Sequence, residues 1–541
     1  MSIQQSINTS PTTNVSELLK VRRTSDTRLF MLILFISLSL TPPLALAGTS
    51  NGITFVLGII AVLIAVALVV RWPIVGLLVV LGCATLIEQD PDFIMLKTSQ
   101  LPIFYWPPSL AGLPERPIGF FILLIFLVVI TTNFISRKRI LLGGKLILPY
   151  LIFMLCVAGG VIHGLASGGD LKIIVIEVRP FWYMFVSYLL AYNLVTRIGH
   201  IRTIFWMIIL DAGVKGIQGT YIYIVKLHTH LQGYHEIMAH EESFFFVALL
   251  LLIILFCMHY KYRPQLYAAL IVMPFVVIAT VANQRRTDYV ALVVGVVVAW
   301  ALIFMIKPRA RKALVIGMAV AVVVSVGYVL AFAQASGIVA YPARSVMSVI
   351  SPSPSDTTDI NSNLYRDNEN YDLKYTVSQN PLGMGFGKMF LQPKLLQNAT
   401  YGDPTNGGNP YQYVPHNTIY WVWMRLGPIG YLAFWYLLGA AIIRGCMIAR
   451  QLRDRYLQLV AIYIVAVTFM EVIVAYSDYQ LYFYRNVIYM GLLLGILMKL
   501  PALDQSKEVP VYESTHSDSK PAVPLVGSQH SQLPSVAGTR V

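Results

Sequence analysis

Long apolar runs alternate with short polar breaks along nearly the whole chain. Uncharged runs approaching twenty residues match the ~30 Å that a helix must cover to cross the hydrocarbon of a bilayer. This pattern predicts spans near 29–47, 52–70, 73–87, 117–135, 146–163, 180–196, 203–225, 243–258, 266–282, 288–306, 313–333, 428–443, 457–475 and 484–499. Each must be helical, because lipid offers no partner to an open backbone. The expected fold is therefore an all-α integral membrane protein of about 14 transmembrane helices (12–14) with one large external loop. Residues 1–28 read as a disordered cytoplasmic leader and 29–333 as the N-terminal helices. Residues 334–426 read as the loop, 427–500 as the C-terminal helices and 501–541 as a disordered, Ser-, Pro- and His-rich tail.

Composition agrees. Of the 541 residues, 57% are hydrophobic and only 12% charged, with a mean hydropathy of +0.66. Soluble domains carry about 25% charged residues. The net charge of +14 sits mainly in short loops, where it sets topology and forms no face interleaved with aromatics, so nucleic-acid binding is not expected. With a cytoplasmic N-terminus and strict alternation, Arg71, Arg137 to Arg139, Arg197 to Arg202, Lys261 to Arg263, Lys307 to Lys312 and Arg444 to Arg455 all fall inside. Arg285 and Arg286 are the exception. Cys83, Cys156, Cys257 and Cys446 lie in or beside apolar runs with no close pair, as small buried residues. Thr41 to Ala47 loosely resembles a cleavage site, but the next apolar run follows at once, so the first span is expected to stay.

Three segments on the predicted outer side carry the polar weight: Glu88 to Arg116, the His-rich Lys226 to Glu242, and Gln334 to Leu426. Loops of this last length are usually functional. It ends in Pro415-His416-Asn417, nine residues, then Gly427-Pro-Ile-Gly430 at the start of a span. His416 would sit at the outer membrane boundary, where a neutral imidazole suits a general base toward a hydroxyl. It can equally belong to an aromatic belt with Tyr420, Trp421 and Trp423. Arg285 and Arg286 stand at the outer end of an apolar helix, where a guanidinium either snorkels or finds an anion such as a phosphate. Glu177 and Arg179 lie in an apolar stretch, so a Glu177–Arg ion pair is one reading. Asp211 and Lys215, at i, i+4 inside a span, are expected to pair or to line a cavity.

The C-terminal pattern resembles the O-antigen ligase and O-antigen polymerase superfamily, whose signature is His, then Asn, Ser or Gln, nine residues, then Gly-x-x-Gly. Asn380-Pro-Leu-Gly383-Met-Gly385-Phe-Gly387 is similar to that family's Pro-Leu-x-Gly-x-Gly turn, and Arg366 to the Arg opening its short helix. Asn283-Gln-Arg-Arg-Thr287 is similar to its Ser-Arg-Gly/Thr step; Arg286 takes the Arg position and Arg285 replaces the usual Ser. The motifs lie mostly in 280–445, within a likeness over roughly 160–500.

The resemblance implies a GT-C-type glycosyltransferase in the bacterial cytoplasmic membrane, inverting and metal-independent, with no cofactor. The donor would be an undecaprenyl-diphosphate-linked glycan, and the acceptor a glycan, lipid or protein. His416 would be the base and Asn417 would orient it or the substrate. Arg286 or Arg285, with Arg179, would hold the diphosphate. Arg366, Gly383, Gly385, Gly427, Gly430 and Lys215 would support the site.

Ligation and polymerisation of repeat units share these motifs. A lipid-linked oligosaccharide flippase is the rival of another class, favoured only by Asp211 and Lys215; such proteins usually show two related halves, and no halves repeat here. A metal reading of His228, His230, His235 and His240 is weakened by geometry, since His235 and His240 would stand about 140° apart on a helix.

Overall fold

The computed structural model describes residues 63, 66–88, 98, 103–104, 115–137, 143–231, 236–259, 263–335, 337–350, 357–394 and 412–505. Among them the regular elements are helices: α1 (Pro73–Leu86), α2 (Pro117–Ile135), α3 (Ile147–Ala166), α4 (Leu171–Leu194), α5 (Ile198–Tyr221), α6 (His240–Met258), α7 (Arg263–Ala282), α8 (Arg286–Ile306), α9 (Arg311–Phe332), α10 (Tyr341–Ile350), α11 (Thr357–Gln379), α12 (Thr418–Gln451), α13 (Arg455–Ser477) and α14 (Tyr484–Gln505). Ten are long and apolar enough to cross a membrane, so the chain is a multi-pass, all-helical membrane protein embedded in a bilayer. Of the other apolar helices, α1 has 14 residues, and α5 carries Arg202, Asp211 and Lys215.

Every expected span from 73 onward coincides with one of these helices. The expected spans 29–47 and most of 52–70 lie outside the described residues, as do the leader and the tail beyond Gln505. The stretch expected to be loop, 334–426, contains α10, α11 and the first turns of α12. Two helices start well before their expected positions: α12 at Thr418, not near 428, and α4 at Leu171, not near 180. Glu177, Arg179 and Pro180 read as a boundary in sequence, yet they lie inside the helix because both charges are paired there. Asp170 caps α4 by accepting from Lys172 N at 2.7 Å and Ile173 N at 3.1 Å.

The helices run in strict alternation. The C-terminus of α1, α3, α5, α7 and α13 meets the N-terminus of α2, α4, α6, α8, α12 and α14 at one end of the bundle. That end carries the motifs. The opposite end carries Arg202, Arg263, Lys307, Arg453 and Arg455, stitched by Lys307 Nζ to His259 O and by Tyr456 to Gln265. Burial is uneven. In α4, α6 and α13, 78% of the apolar window is covered, and in α14 83%; in the span Pro308–Phe332 none is. The core is thus built on α4, α6, α13 and α14, with α9 left uncovered at its periphery.

The nine-residue interval of the motif is the length of one capped helical piece. The side chain of Asn417 accepts from Tyr420 N at 3.1 Å and starts the helix at Thr418. Gly427 stops it, with φ 66° and ψ −172°, and Pro428 restarts it. That backbone region is essentially closed to other residues. A Cβ there would also collide with Leu382 O and approach Gly383 N to 3.2 Å. Gly430, buried one turn on, packs against Leu426. Gly427→Ala is expected to destabilise the protein by about 1–3 kcal/mol or more. A thermal unfolding scan in detergent tests this. Gly439→Ala, in the same helix where a Cβ meets open space, serves as the control expected to leave the midpoint unchanged.

Candidate functional site

A buried ion pair builds the site's scaffold. Glu177 on α4 and Arg425 on α12 meet at 2.6 Å, and neither side chain is exposed. The Glu177 carboxylate also accepts from Gly387 N at 2.6 Å and Trp421 Nε1 at 3.3 Å. Arg425 donates to Gly385 O at 3.1 Å, Lys388 O at 2.7 Å and Tyr413 O at 2.8 Å. A buried pair is tolerable when further hydrogen bonds engage both partners, as these do at both Glu177 oxygens and both terminal nitrogens of Arg425. The turn Asn380–Gly387 is laced between α3, α4 and α12 by Met384 N to Met424 O, Phe386 N to Gly160 O and Asp170 N to Gly387 O. At Gly385, φ is 73° and a Cβ would run into the backbone at Gly164; Gly383 approaches Gly427 in the same way. Sequence reading left the Glu177 partner open between arginines. It is Arg425, whereas Arg179 pairs with Glu115.

That scaffold delivers Tyr413, and so His416 three residues on, to the flank of α11. One face of α11 turns inward: Glu369, Asp372 and Thr376 are all buried. Asp372 receives Lys394 N at 2.9 Å and Thr376 receives Leu391 N at 3.0 Å. Glu369 takes both the backbone N–H and ring Nδ1 of His416, each at 3.0 Å. A carboxylate on Nδ1 fixes the tautomer with its proton there and makes Nε2 the basic nitrogen. The His416 ring is 13% exposed and stands edge-on to Tyr365 and Tyr479. Asn417 donates to Asn370 at 3.0 Å. His416 and Asn417 line a cavity of about 330 Å³ together with Arg366, Glu369, Asn370 and Ser477.

Beside it lies a charge cluster centred on Asp478, between α13 and α14. Arg285 contacts its carboxylate directly, His240 Nδ1 lies at 3.2 Å, and Tyr479 N donates at 2.8 Å. Asn283 holds the incoming segment by accepting from Ile237 N and Met238 N, which sets Glu236 and His240 against Arg285. The Tyr479 ring separates His416 from His240. Burial alone would push the Asp478 carboxyl up, but Arg285, then His240 and His416, hold it well below the usual carboxylate range. Burial pulls the Arg366 guanidinium down; Asp478 opposes this, while Arg285 and Arg286 add to it. Arg285, Arg286 and Arg366 are thus electrostatic neighbours. Arg286 is half-buried as the first residue of α8, and Arg285 is the one locked to Asp478.

The other sequence-named residues sit elsewhere. Arg179 donates to Tyr484 OH at 2.6 Å, and its Nε lies 3.3 Å from Glu115. The rings of Tyr484, Tyr482 and Tyr479 are spaced 6.2 and 6.4 Å between it and His416. Lys215 does not pair with Asp211. It contacts Glu88 and lies 3.2 Å from Glu242, which Arg485 also binds, while Asp211 accepts from Thr85 at 2.6 Å. His228 and His230 are exposed, and His235 lies outside the described residues. His240 uses opposite ring nitrogens for Glu236 and Asp478, so these groups do not converge on one ion, and no metal-like group of His, Cys, Asp or Glu occurs among the described residues.

Sequence reading missed Glu369, Asp478 and Tyr479. For Asp478 a signal existed, an acid closing an apolar run. Glu369 had none within its polar helix. No family model matches the chain, and no curated protein matches it.

The Asp478 contribution to stability is present above about pH 4, the ordinary Asp value, and is lost as pH falls below it, because its folded-state value is depressed. Asp478→Asn should lower the unfolding midpoint at pH 7 and flatten the loss between about pH 4 and pH 2. Midpoints measured across that range check this, and an unaltered acid profile contradicts it.

Proposed function

We propose that this protein is a membrane glycosyltransferase that moves a glycan from a polyprenyl-diphosphate carrier to an acceptor hydroxyl. The observation that carries the reading is the His416–Glu369 contact at the wall of a polar cavity, beside clustered guanidinium groups. The resemblance of the His416–Asn417 and Gly427–Gly430 spacing to O-antigen ligases and polymerases supports it. The basic loops gather at the opposite end of the bundle; by the positive-inside bias that end is cytoplasmic and His416 faces outward. In a bacterium this is the external side of the cytoplasmic membrane, where carrier-linked glycans are consumed.

In this mechanism His416 Nε2 removes the proton from the acceptor hydroxyl. The oxygen attacks the anomeric carbon from the side opposite the carrier. The bond from that carbon to the diphosphate oxygen breaks with inversion, and the polyprenyl diphosphate leaves with the electron pair. Glu369 balances the imidazolium formed. Arg286 and Arg366 bind the diphosphate and stabilise its developing charge, with Arg285 held beside them by Asp478. Arg179 reaches the anion only by releasing Glu115, so the diphosphate rests first on Arg286 and Arg366. Cations suffice for this chemistry, and the mechanism needs no metal.

Ligation of finished glycan and polymerisation of repeat units use the same step. The polysaccharide profile of a deletion strain separates them: full chains left on carrier mean ligation, single repeats mean polymerisation. Asp211 and Lys215, the charges that favour a flippase, stay buried in α5, with Lys215 held by Glu88 and Glu242.

His416→Ala should cut transfer from a polyprenyl-diphosphate-linked glycan by about 10²–10⁴-fold, and Arg286→Ala by about 10²-fold or more. Release of polyprenyl diphosphate by protein in nanodiscs measures both, with unfolding midpoints confirming intact protein. Wild-type turnover by folded His416→Ala would falsify the catalytic role.

A further inference from the structure

Arg286 heads a stripe that runs the length of α8. Phe304, Trp300, Val297, Val293, Val290 and Arg286 are separated by four, three, four, three and four residues, so they share one helical face. At the foot of the stripe that face meets α9. Trp300 Nε1 donates to Leu314 O at 3.2 Å, Arg311 Nε donates to Phe304 O at 3.1 Å, and the Arg311 guanidinium lies 5.1 Å from the centre of the Phe304 ring. Above that contact the two helices part. Val297, Val293 and Val290 are 48%, 63% and 47% exposed, although they continue the face of Trp300. On α9, Leu314 and Met318 are partly covered near one end and Tyr328 and Val329 near the other, while every residue from 319 to 327 is exposed. The segment leading into α10 bridges the top: Tyr328 OH donates to Val339 O, and Tyr341 OH donates to Gln284 O just before α8. The two helices are therefore tied at both ends and open between, leaving a slot with a valine wall and a guanidinium at its motif-bearing end.

Resting on the glycosyl-transfer reading, we infer that this slot holds the diphosphate-proximal isoprene units of the polyprenyl carrier. Its two ends set the occupant. A ligand with an anion at one end and hydrocarbon behind it matches an arginine followed by three valines on one face. The Trp300 and Phe304 contacts with α9 close the far end, so the slot is entered from the side where the diphosphate sits. From Arg286 to Trp300 the stripe is about 21 Å long, and the rest of the chain stays in the bilayer. Lipid tails are as apolar as this wall, so the carrier is held there by close packing of its methyl branches against β-branched valines. Two helices tied at both ends admit a hydrocarbon thread and not a helix of a second copy, which is about 10 Å across.

The test is native mass spectrometry of the full-length protein with undecaprenyl diphosphate, with inorganic diphosphate as the headgroup-only probe and phosphatidylglycerol as competitor. Val293→Trp and Val290→Trp, which fill the slot, should each weaken undecaprenyl diphosphate by about tenfold and leave inorganic diphosphate unchanged. Val323→Trp, on the opposite face of α9 where the side chain is 70% exposed, should change neither. Unfolding midpoints confirm that each variant is folded, and either slot variant suffices. Undecaprenyl diphosphate bound as in wild type by the folded slot variants, an equal loss in Val323→Trp, or displacement by equimolar phosphatidylglycerol overturns the inference. The readout involves neither glycan nor acceptor. A loss confined to the slot variants therefore stands even where His416→Ala still transfers glycan, and slot variants that bind normally leave the transfer reading intact.

Discussion

The Glu177–Arg425 pair is the contact on which the motif-bearing end of this protein depends. Two opposite charges are buried without exposure, one in a helix of the core and one in the short capped piece that follows His416. Such a pair does not add stability by itself, since desolvating two ions costs about as much as their attraction returns. Its value is positional. Each partner also bonds the backbone: Glu177 to Gly387, and Arg425 to Gly385, Lys388 and Tyr413. Four points of otherwise irregular chain are thereby tied to one place in the bundle. Removing either partner leaves a buried, uncompensated charge, so the arrangement resists gradual loosening.

From this anchor the site's geometry follows in short steps. Tyr413 is fixed, so His416 is brought against α11, where Glu369 takes its backbone and its ring. Asn417 then caps the helical piece that carries Arg425 itself, closing the circuit. A second circuit surrounds Asp478, which gathers Arg285 and His240 and shares the Tyr479 ring with His416. Arg285 and Arg179 at this end are partnered by carboxylates, while the loops at the other end stay basic. One molecule thus carries basic loops at one end and a cluster of paired charges at the other.

The helices were legible because lipid-compatible runs leave few alternatives to an α-helix. The spacing from Asn417 to Gly427 was legible too, and its physical meaning is a helix with a cap at one end and a Gly-only backbone step at the other. Partners across sequence were not legible. Glu177 lies two residues from Arg179 and pairs with Arg425, and Lys215 lies four from Asp211 and pairs with Glu88 and Glu242. Proximity in a helix ranks pairs only when nothing else is near, and in a bundle core other helices are nearer. The start of α4 was missed for the same reason: paired charges do not end a helix, although unpaired ones in sequence look as if they should. Glu369 was hidden among the Asp, Asn and Glu residues of α11, where only the inward face distinguishes it.

The central claim is that the Glu177–Arg425 pair holds the Gly-rich turn and the His416 segment as one unit. Hydrogen–deuterium exchange of Glu177→Gln against wild type, in the same detergent, tests it most directly. The account predicts faster exchange over 380–394 and 412–417 together, with α13 and α14 unchanged. Exchange that stays at wild-type rates in both segments would contradict it.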